Sequence, residues 1–297
     1  MVCLDQPLAQ DPIFVVGYPR SGTTLLQALL VTQDELVTFP ETHFFSTVFA
    51  GDNDFGEFIN FEAINNILED ISKKSGITFD DDFIRGLKSN SGKISIKHFF
   101  ESLVCKLFPE TVDFSKRWIE KTPDHGLYME QIAKFYPEAK FVGIIRNPFF
   151  AIYSRTRYFP PKTRDLLEVL AKQWVSHVKA FEEFTERSPK KTYLVKYEDL
   201  TADPENSIAR ICQFLCIEFD SEKLSNFQNK AEGFIQPFEH WKKDVKASKI
   251  YIRKQNPKSV FPTRKILKIQ SIVLEKMKKY GYGPQNPMLQ RIYNFFM

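Results

Sequence analysis

Cysteine is scarce in this chain: 297 residues carry only 4, at Cys3, Cys105, Cys212 and Cys216. Four in a chain this long do not make a disulfide scaffold. Cys212 and Cys216 stand four apart in a stretch of helical composition, a spacing that suits packing along one helix face better than metal binding. Long apolar runs are missing too, and none approaches the ~18 residues that would cross a bilayer. The opening MVCLDQPLAQDPIF has neither the basic start nor the apolar stretch of a secretory leader. These absences point to the cytoplasm. Internal repeats and low-complexity tracts are also lacking, and with 43% hydrophobic and 26% charged residues the chain is neither disordered nor fibrous.

Phenylalanine, by contrast, is plentiful at 29 residues, enough for a sizeable core with some left to line a pocket. The net charge is +4 but uneven, because residues 242–279 hold 13 Lys or Arg against Asp244 and Glu275. Such a block is either a solvated basic face or an attractor of anions.

Secondary structure alternates along the chain. IFVVG (13–17), KFVGIIR (140–146) and TYLVKY (192–197) read as buried strands, and RWIE (117–120) as a fourth. Helices are expected from Gly22 onward, through most of 57–108, over 124–136, from Pro148, over 164–187, from Asp203-Pro204 to Leu215, and from Thr263 to Tyr280 with a stop at Gly281. This alternation predicts an α/β fold with a central parallel sheet flanked by helices, whose ligands bind at the carboxyl ends of the strands. One domain is expected over 1–297, with a helical insertion at about 57–110 and a basic C-terminal segment at about 240–280.

Gly17-Tyr18-Pro19-Arg20-Ser21-Gly22-Thr23-Thr24 follows the first strand and opens the first helix. Its spacing is that of a triphosphate-binding loop, but Thr23 stands where the lysine should be. The amides of Ser21 to Thr24 at a helix N-terminus suit an anion, and Arg20 supplies charge inside the loop. Without that lysine, and without a convincing acidic strand end after it, β/γ-phosphate chemistry is poorly served.

YPRSGTTLL resembles the 5′-phosphosulfate loop of the sulfotransferases that use 3′-phosphoadenylyl sulfate (PAPS). FVGIIRNPFFAIYSR (141–155) resembles that family's 3′-phosphate motif, with Arg146 at a strand end and Ser154 eight residues on. WIEKTPDH (118–125) is similar to the E-K-T-P element of bacterial and tyrosylprotein-type members. YLVKYEDLTADP resembles the segment whose Tyr, here Tyr197, borders the nucleotide. The resemblance runs from about 13 to 215, and the family's C-terminal R-K-G loop has no counterpart that can be assigned. It implies a P-loop-like nucleotide-binding core with helical insertions. Pro19, Arg20, Ser21, Gly22, Thr23, Thr24, Arg146, Ser154 and Tyr197 would bind the nucleotide.

Sulfuryl transfer needs a base for the acceptor hydroxyl, cations for the equatorial oxygens and neutralisation of the leaving phosphate. The transferred group carries less charge than a phosphoryl group, so no metal is expected. Glu41, in FPETHFF, is the favoured base; Phe39, Phe44 and Phe45 beside it would raise its pKa. His43 and His125 are alternative bases. The cytosolic small-molecule branch carries its His where this chain has Pro123. Lys121 matches the family's catalytic lysine on the leaving-group side, and Arg20 would hold the phosphosulfate throughout. The product would be 3′-phosphoadenosine 5′-phosphate (PAP).

Two rivals stand beside this: a P-loop kinase or other triphosphate enzyme, and a non-catalytic PAP- or anion-binding module. The acceptor would be a hydroxyl, less readily an amine, on a small, lipid-like or saccharide molecule, and no nucleic-acid partner is expected. Phe44, Phe45, Phe49, Phe55, Phe58 and Phe61 suit an apolar acceptor, whereas RTRYFPPKTR (155–164) suits an anionic one.

Overall fold

The computed structural model describes residues 11–51, 56–87, 92–107, 115–158, 166–242, 245 and 263–283. Its strands are β1 (Ile13–Gly17), β2 (Leu36–Thr38), β3 (Phe58–Asn60), β4 (Lys93–Ser95), β5 (Arg117–Glu120), β6 (Lys140–Ile145) and β7 (Thr192–Lys196). Five of them form one parallel sheet in the order β2-β5-β1-β6-β7. β1 lies at its centre, with Ile13 to Gly17 in register with Lys140 to Ile144 of β6.

The β1 run is apolar on both sides because both sides are covered. Ile13 and Val15 face the helices Thr23–Leu30 and Pro204–Leu215, meeting Leu26, Leu29, Ile208 and Ile211. Phe14 and Val16 point the other way, into an aromatic cluster with Phe45, Phe100, Trp118 and Phe141. A third cluster joins the last helix, Thr263–Lys279, to helix Leu166–Arg187 through Ile266, Ile269, Val273 and Met277. Lysines of that last helix pair with helix 166–187, Lys276 and Lys279 with Glu182 and Lys268 with Glu168. This part of the basic block is thus spent on acids of the same chain.

The α/β class and the parallel sheet agree with the expectation from the sequence. Several details differ. The 57–108 region is helical at Phe61–Ser75, Asp81–Leu87 and Ile96–Leu107, but it also contains the antiparallel pair β3–β4. The helix expected over 124–136 is split into a 3₁₀ turn, Pro123–Leu127, and a helix, Met129–Phe135.

Phe44 and Phe45 are fully buried against Phe99 and Phe100, so they build the core and cannot line an acceptor pocket. Phe49 and Phe61 are half-buried, Phe58 is exposed beneath Lys93, and Phe55 lies outside the described residues, as does much of 155–164. Cys212 is packed in the core and free, and Cys216 is exposed and free. No helix among the described residues is long and apolar enough to cross a membrane.

Candidate active site

The carboxyl ends of β1, β5, β6 and β7 lie side by side, and the sequence motifs sit on them. After β1 the chain turns through Gly17, Arg20 and Gly22, all at positive φ (151°, 72° and 104°). Ser21 donates its backbone N–H to the Tyr18 carbonyl at 3.1 Å, closing the loop. Gly22 must be glycine for two reasons. Its φ is one that side-chain-bearing residues avoid, and an added Cβ would come within 2.4 Å of the Tyr197 ring. Gly22→Ala is therefore expected to distort the loop and to lower the melting temperature, with a cost of about 1–3 kcal/mol. Thermal unfolding checks this.

Arg146, just past β6, donates from a guanidinium nitrogen to the Arg20 carbonyl at 3.0 Å, and its guanidinium lies 4.0 Å from the Tyr197 ring centre. Arg20 Nε donates to Ser154 Oγ at 3.2 Å. The loop, Arg146, Ser154 and Tyr197 therefore converge on one place, though Ser154 meets Arg20 rather than Arg146. Asn147 caps helix Pro148–Tyr158, its Oδ1 accepting from Phe149 N at 3.1 Å. Ser21 is fully buried, yet its Oγ has no hydrogen-bond partner, a feature expected of a loop shaped for an oxyanion.

The second group hangs on β5. Glu120, fully buried at its end, accepts from Thr122 N (3.0 Å), Thr122 Oγ1 (2.7 Å) and Thr42 Oγ1 (2.9 Å). His125 Nδ1 lies 2.8 Å from the same carboxylate, while Phe45 N donates to His125 Nε2 at 3.2 Å. The amide at Nε2 fixes that nitrogen as an acceptor, so the Nδ1 proton goes to Glu120. Both ring nitrogens of His125 are occupied in binding loop 42–45 to loop 120–125. Glu120 and Thr42 form a clamp that sequence reasoning missed; only the Glu of the E-K-T-P string hinted at it.

That clamp sets Glu41 against Lys121. Lys121 Nζ, 1% exposed, donates to Glu41 Oε1, and Lys242 Nζ reaches the same oxygen at 2.6 Å. His43 Nε2 stands 3.4 Å from Oε2. Burial alone would raise the Glu41 carboxyl, but the Lys121 and Lys242 ammoniums beside it, with His43, hold it well below the usual carboxylate range. The raised pKa expected from the phenylalanines is thereby corrected: the cations outweigh the apolar wall. Burial pushes Lys121 down to about 8 against the pull of Glu41, with Lys242 adding to the fall. Burial also lowers His43, opposed by Glu41. Among the described residues no cluster of His, Cys, Asp or Glu could hold a metal ion.

Residues 12–221 match the Sulfotransferase family model. A Caenorhabditis briggsae protein assigned by name to the protein-tyrosine sulfotransferases is 26% identical over 223 residues, which cover 73% of this chain and 69% of that protein. The omega-hydroxy-beta-dihydromenaquinone-9 sulfotransferase Stf3 of Mycobacterium bovis is 25% identical over 250 residues, 70% of this chain and 63% of that protein. This chain therefore spans less than two thirds of the mycobacterial relative. Among solved structures, the sulfotransferase domain from the curacin biosynthetic pathway superposes with a TM-score of 0.60 at 19% identity, covering 90% of this chain and 98% of that one. A mouse sulfotransferase complexed with PAP gives 0.52 at 16% identity, covering 99% of this chain and 91% of that one. At these identities the structural likeness shows the fold.

Proposed function

Because this chain belongs to the sulfotransferase family, we propose that it moves a sulfuryl group from PAPS to an acceptor hydroxyl by in-line transfer, releasing PAP. The observation that carries this is the row of strand ends on which the anion loop of β1 stands between the Arg146–Tyr197 pair and the Glu41–Lys121 pair. The mouse relative solved with PAP supports the same donor.

Arg20, the loop amides and the orphaned Ser21 hydroxyl would hold the phosphosulfate, and Arg146 with Ser154 the 3′-phosphate. Glu41 takes the acceptor proton as the acceptor oxygen forms its bond to sulfur. The bond from sulfur to the 5′-phosphate oxygen breaks with its electron pair, and the Lys121 ammonium neutralises the charge left there. Lys121 cannot serve the phosphate and Glu41 equally, so its shift toward the donor leaves Glu41 Oε1 with Lys242 alone and makes the carboxylate a stronger base. His125, with both nitrogens engaged, serves as scaffold in this scheme, and His43 orients Glu41.

The acceptor belongs to the small-molecule class, lipid-like or saccharide. The menaquinone-type substrate in the mycobacterial relative's name favours the lipid-like side.

Incubation with radiolabelled PAPS and a panel of hydroxyl acceptors tests the assignment. Transfer that persists in EDTA, with ATP inert, is the expected result. A strict magnesium requirement with release of ADP would replace it by a kinase.

A further inference from the structure

Lysine is rarely buried unless paired, yet Lys242 is only 5% exposed. It lies 201 residues from Glu41 in sequence, beyond the matched family region, and still reaches Glu41 Oε1 at 2.6 Å. The same ammonium pairs with Glu239, itself nearly buried. The segment that delivers it is anchored rather than draped. Phe234 and Ile235 sit in the core beside helix 23–30, and Phe238 lies against Gly76. Glu239 Oε2 accepts from Gln236 N at 3.0 Å, and Lys242 N donates to the Glu239 carbonyl at 2.8 Å. Two fixed points therefore aim Lys242 at the base.

We infer that Lys242 is a positioning residue: held between Glu239 and Glu41, its ammonium fixes the Glu41 carboxylate, so the C-terminal segment completes the catalytic centre. This deepens the sulfuryl-transfer proposal and rests on it. Lys121 has two calls on its charge, the base and the leaving phosphate. When the donor draws Lys121 away, Lys242 is the cation that still holds Glu41 in place. Glu41 is faced by Lys121 from the end of β5, by Lys242 from the C-terminal segment and by His43 from its own loop, with Glu239 behind Lys242. His125, Glu120 and Asp124 act on it one step removed, through His43.

The test compares pH profiles of kcat/KM for the wild type, Lys242→Met, Lys242→Arg and the double variant Lys242→Met/Glu239→Gln, which leaves no lone Glu239 charge. Removing a cation makes Glu41 easier to protonate, so the acid limb moves to higher pH. Removing a like charge makes Lys121 harder to deprotonate, so the alkaline limb moves up as well. The acid limb is expected to rise by about one unit or more in both Met variants, as close charge pairs do. The alkaline limb should rise in Lys242→Met, whereas in the double variant loss of the Glu239 charge, which raises Lys121, offsets that second rise. At a fixed pH on the acid limb itself, activity should fall about tenfold, while PAP affinity measured by calorimetry changes little. Lys242→Arg should restore the wild-type limbs. Limbs that stay put while kcat or the melting temperature falls would overturn the inference, leaving Lys242 a structural ion pair. A wild type that moves no sulfuryl group overturns the reaction itself, an outcome read before any variant is compared.

Discussion

Glu41→Gln is expected to lose about 10²–10⁴ in kcat, the range that removal of a general base produces, with PAP affinity nearly unchanged. The amide keeps the size of the side chain and can still accept a hydrogen bond from Lys121 or Lys242, but it cannot take the acceptor proton. In the proposed scheme the nucleotide would be held from other strand ends, by the β1 loop and by Arg146 after β6, which are joined by the Arg146–Arg20 hydrogen bond. A carboxylate held so low by two ammoniums is a weak base in the resting site. Its strength has to rise as Lys121 turns to the donor, so the loss should appear in kcat rather than in binding.

Two histidine variants sharpen the measurement. His125→Ala removes one partner of the buried Glu120 and should lower the melting temperature, because a buried carboxylate left short of donors costs about 1–3 kcal/mol or more. His43→Ala should cost less turnover than Glu41→Gln, because Lys121 and Lys242 still hold the carboxylate. A Glu41→Gln enzyme with near-normal turnover beside a dead, folded His43→Ala enzyme would move the base to His43.

Arg146→Ala should abolish the preference for PAP over AMP. A charge-assisted hydrogen bond contributes about 1.5–3 kcal/mol, so the wild type should favour PAP by roughly 10- to 150-fold per such bond. The variant should bind the two nucleotides within a fewfold of each other. Arg146 also supports the loop by donating to the Arg20 carbonyl and stacking on Tyr197. Some loss of AMP affinity should therefore accompany the change. Titration calorimetry with both nucleotides separates the two effects, since loop damage weakens both ligands and loss of the 3′-phosphate contact weakens only PAP. Equal affinities in the wild type would remove the 3′-phosphate role from Arg146.

The centre of the fold was legible because β1 and β6 are covered on both faces, which writes them as continuous apolar runs ending in Gly17 and Arg146. Asp203 was legible for a local reason: its side chain accepts from Asn206 N at 3.1 Å, and Pro204 follows at the first helical position. The edge strand β2 and the pair β3–β4 were not. Each has three residues, too few for a period to show, and β3 meets β4 across an intervening helical stretch. Pro123 stands just before the expected 124–136 helix and opens the 3₁₀ turn Pro123–Leu127, after which the chain restarts as a helix at Met129.

The site divided in the same way. The β1 loop and Arg146 announce themselves through local spacing. The Glu41 environment does not, because its cations arrive from 80 and 201 positions away. Local phenylalanines suggested a raised carboxyl; distant lysines reverse the sign. Glu120 was passed over because a buried acid and its five donors are visible only once loops 42–45 and 120–125 meet.

The sheet order has one more implication, for how the parts came to be separable. β5, β1, β6 and β7 are neighbours joined by main-chain hydrogen bonds, at the ~4.8 Å spacing that any sequence gives. Main chain therefore sets the spacing of Lys121, the β1 loop and Arg146, while the side chains of the Thr42–Glu120 clamp bring Glu41 to that row. That ruler is indifferent to what covers Glu41. The helices after β2 can be rebuilt to admit a different acceptor while Lys121, the β1 loop and Arg146 keep their spacing.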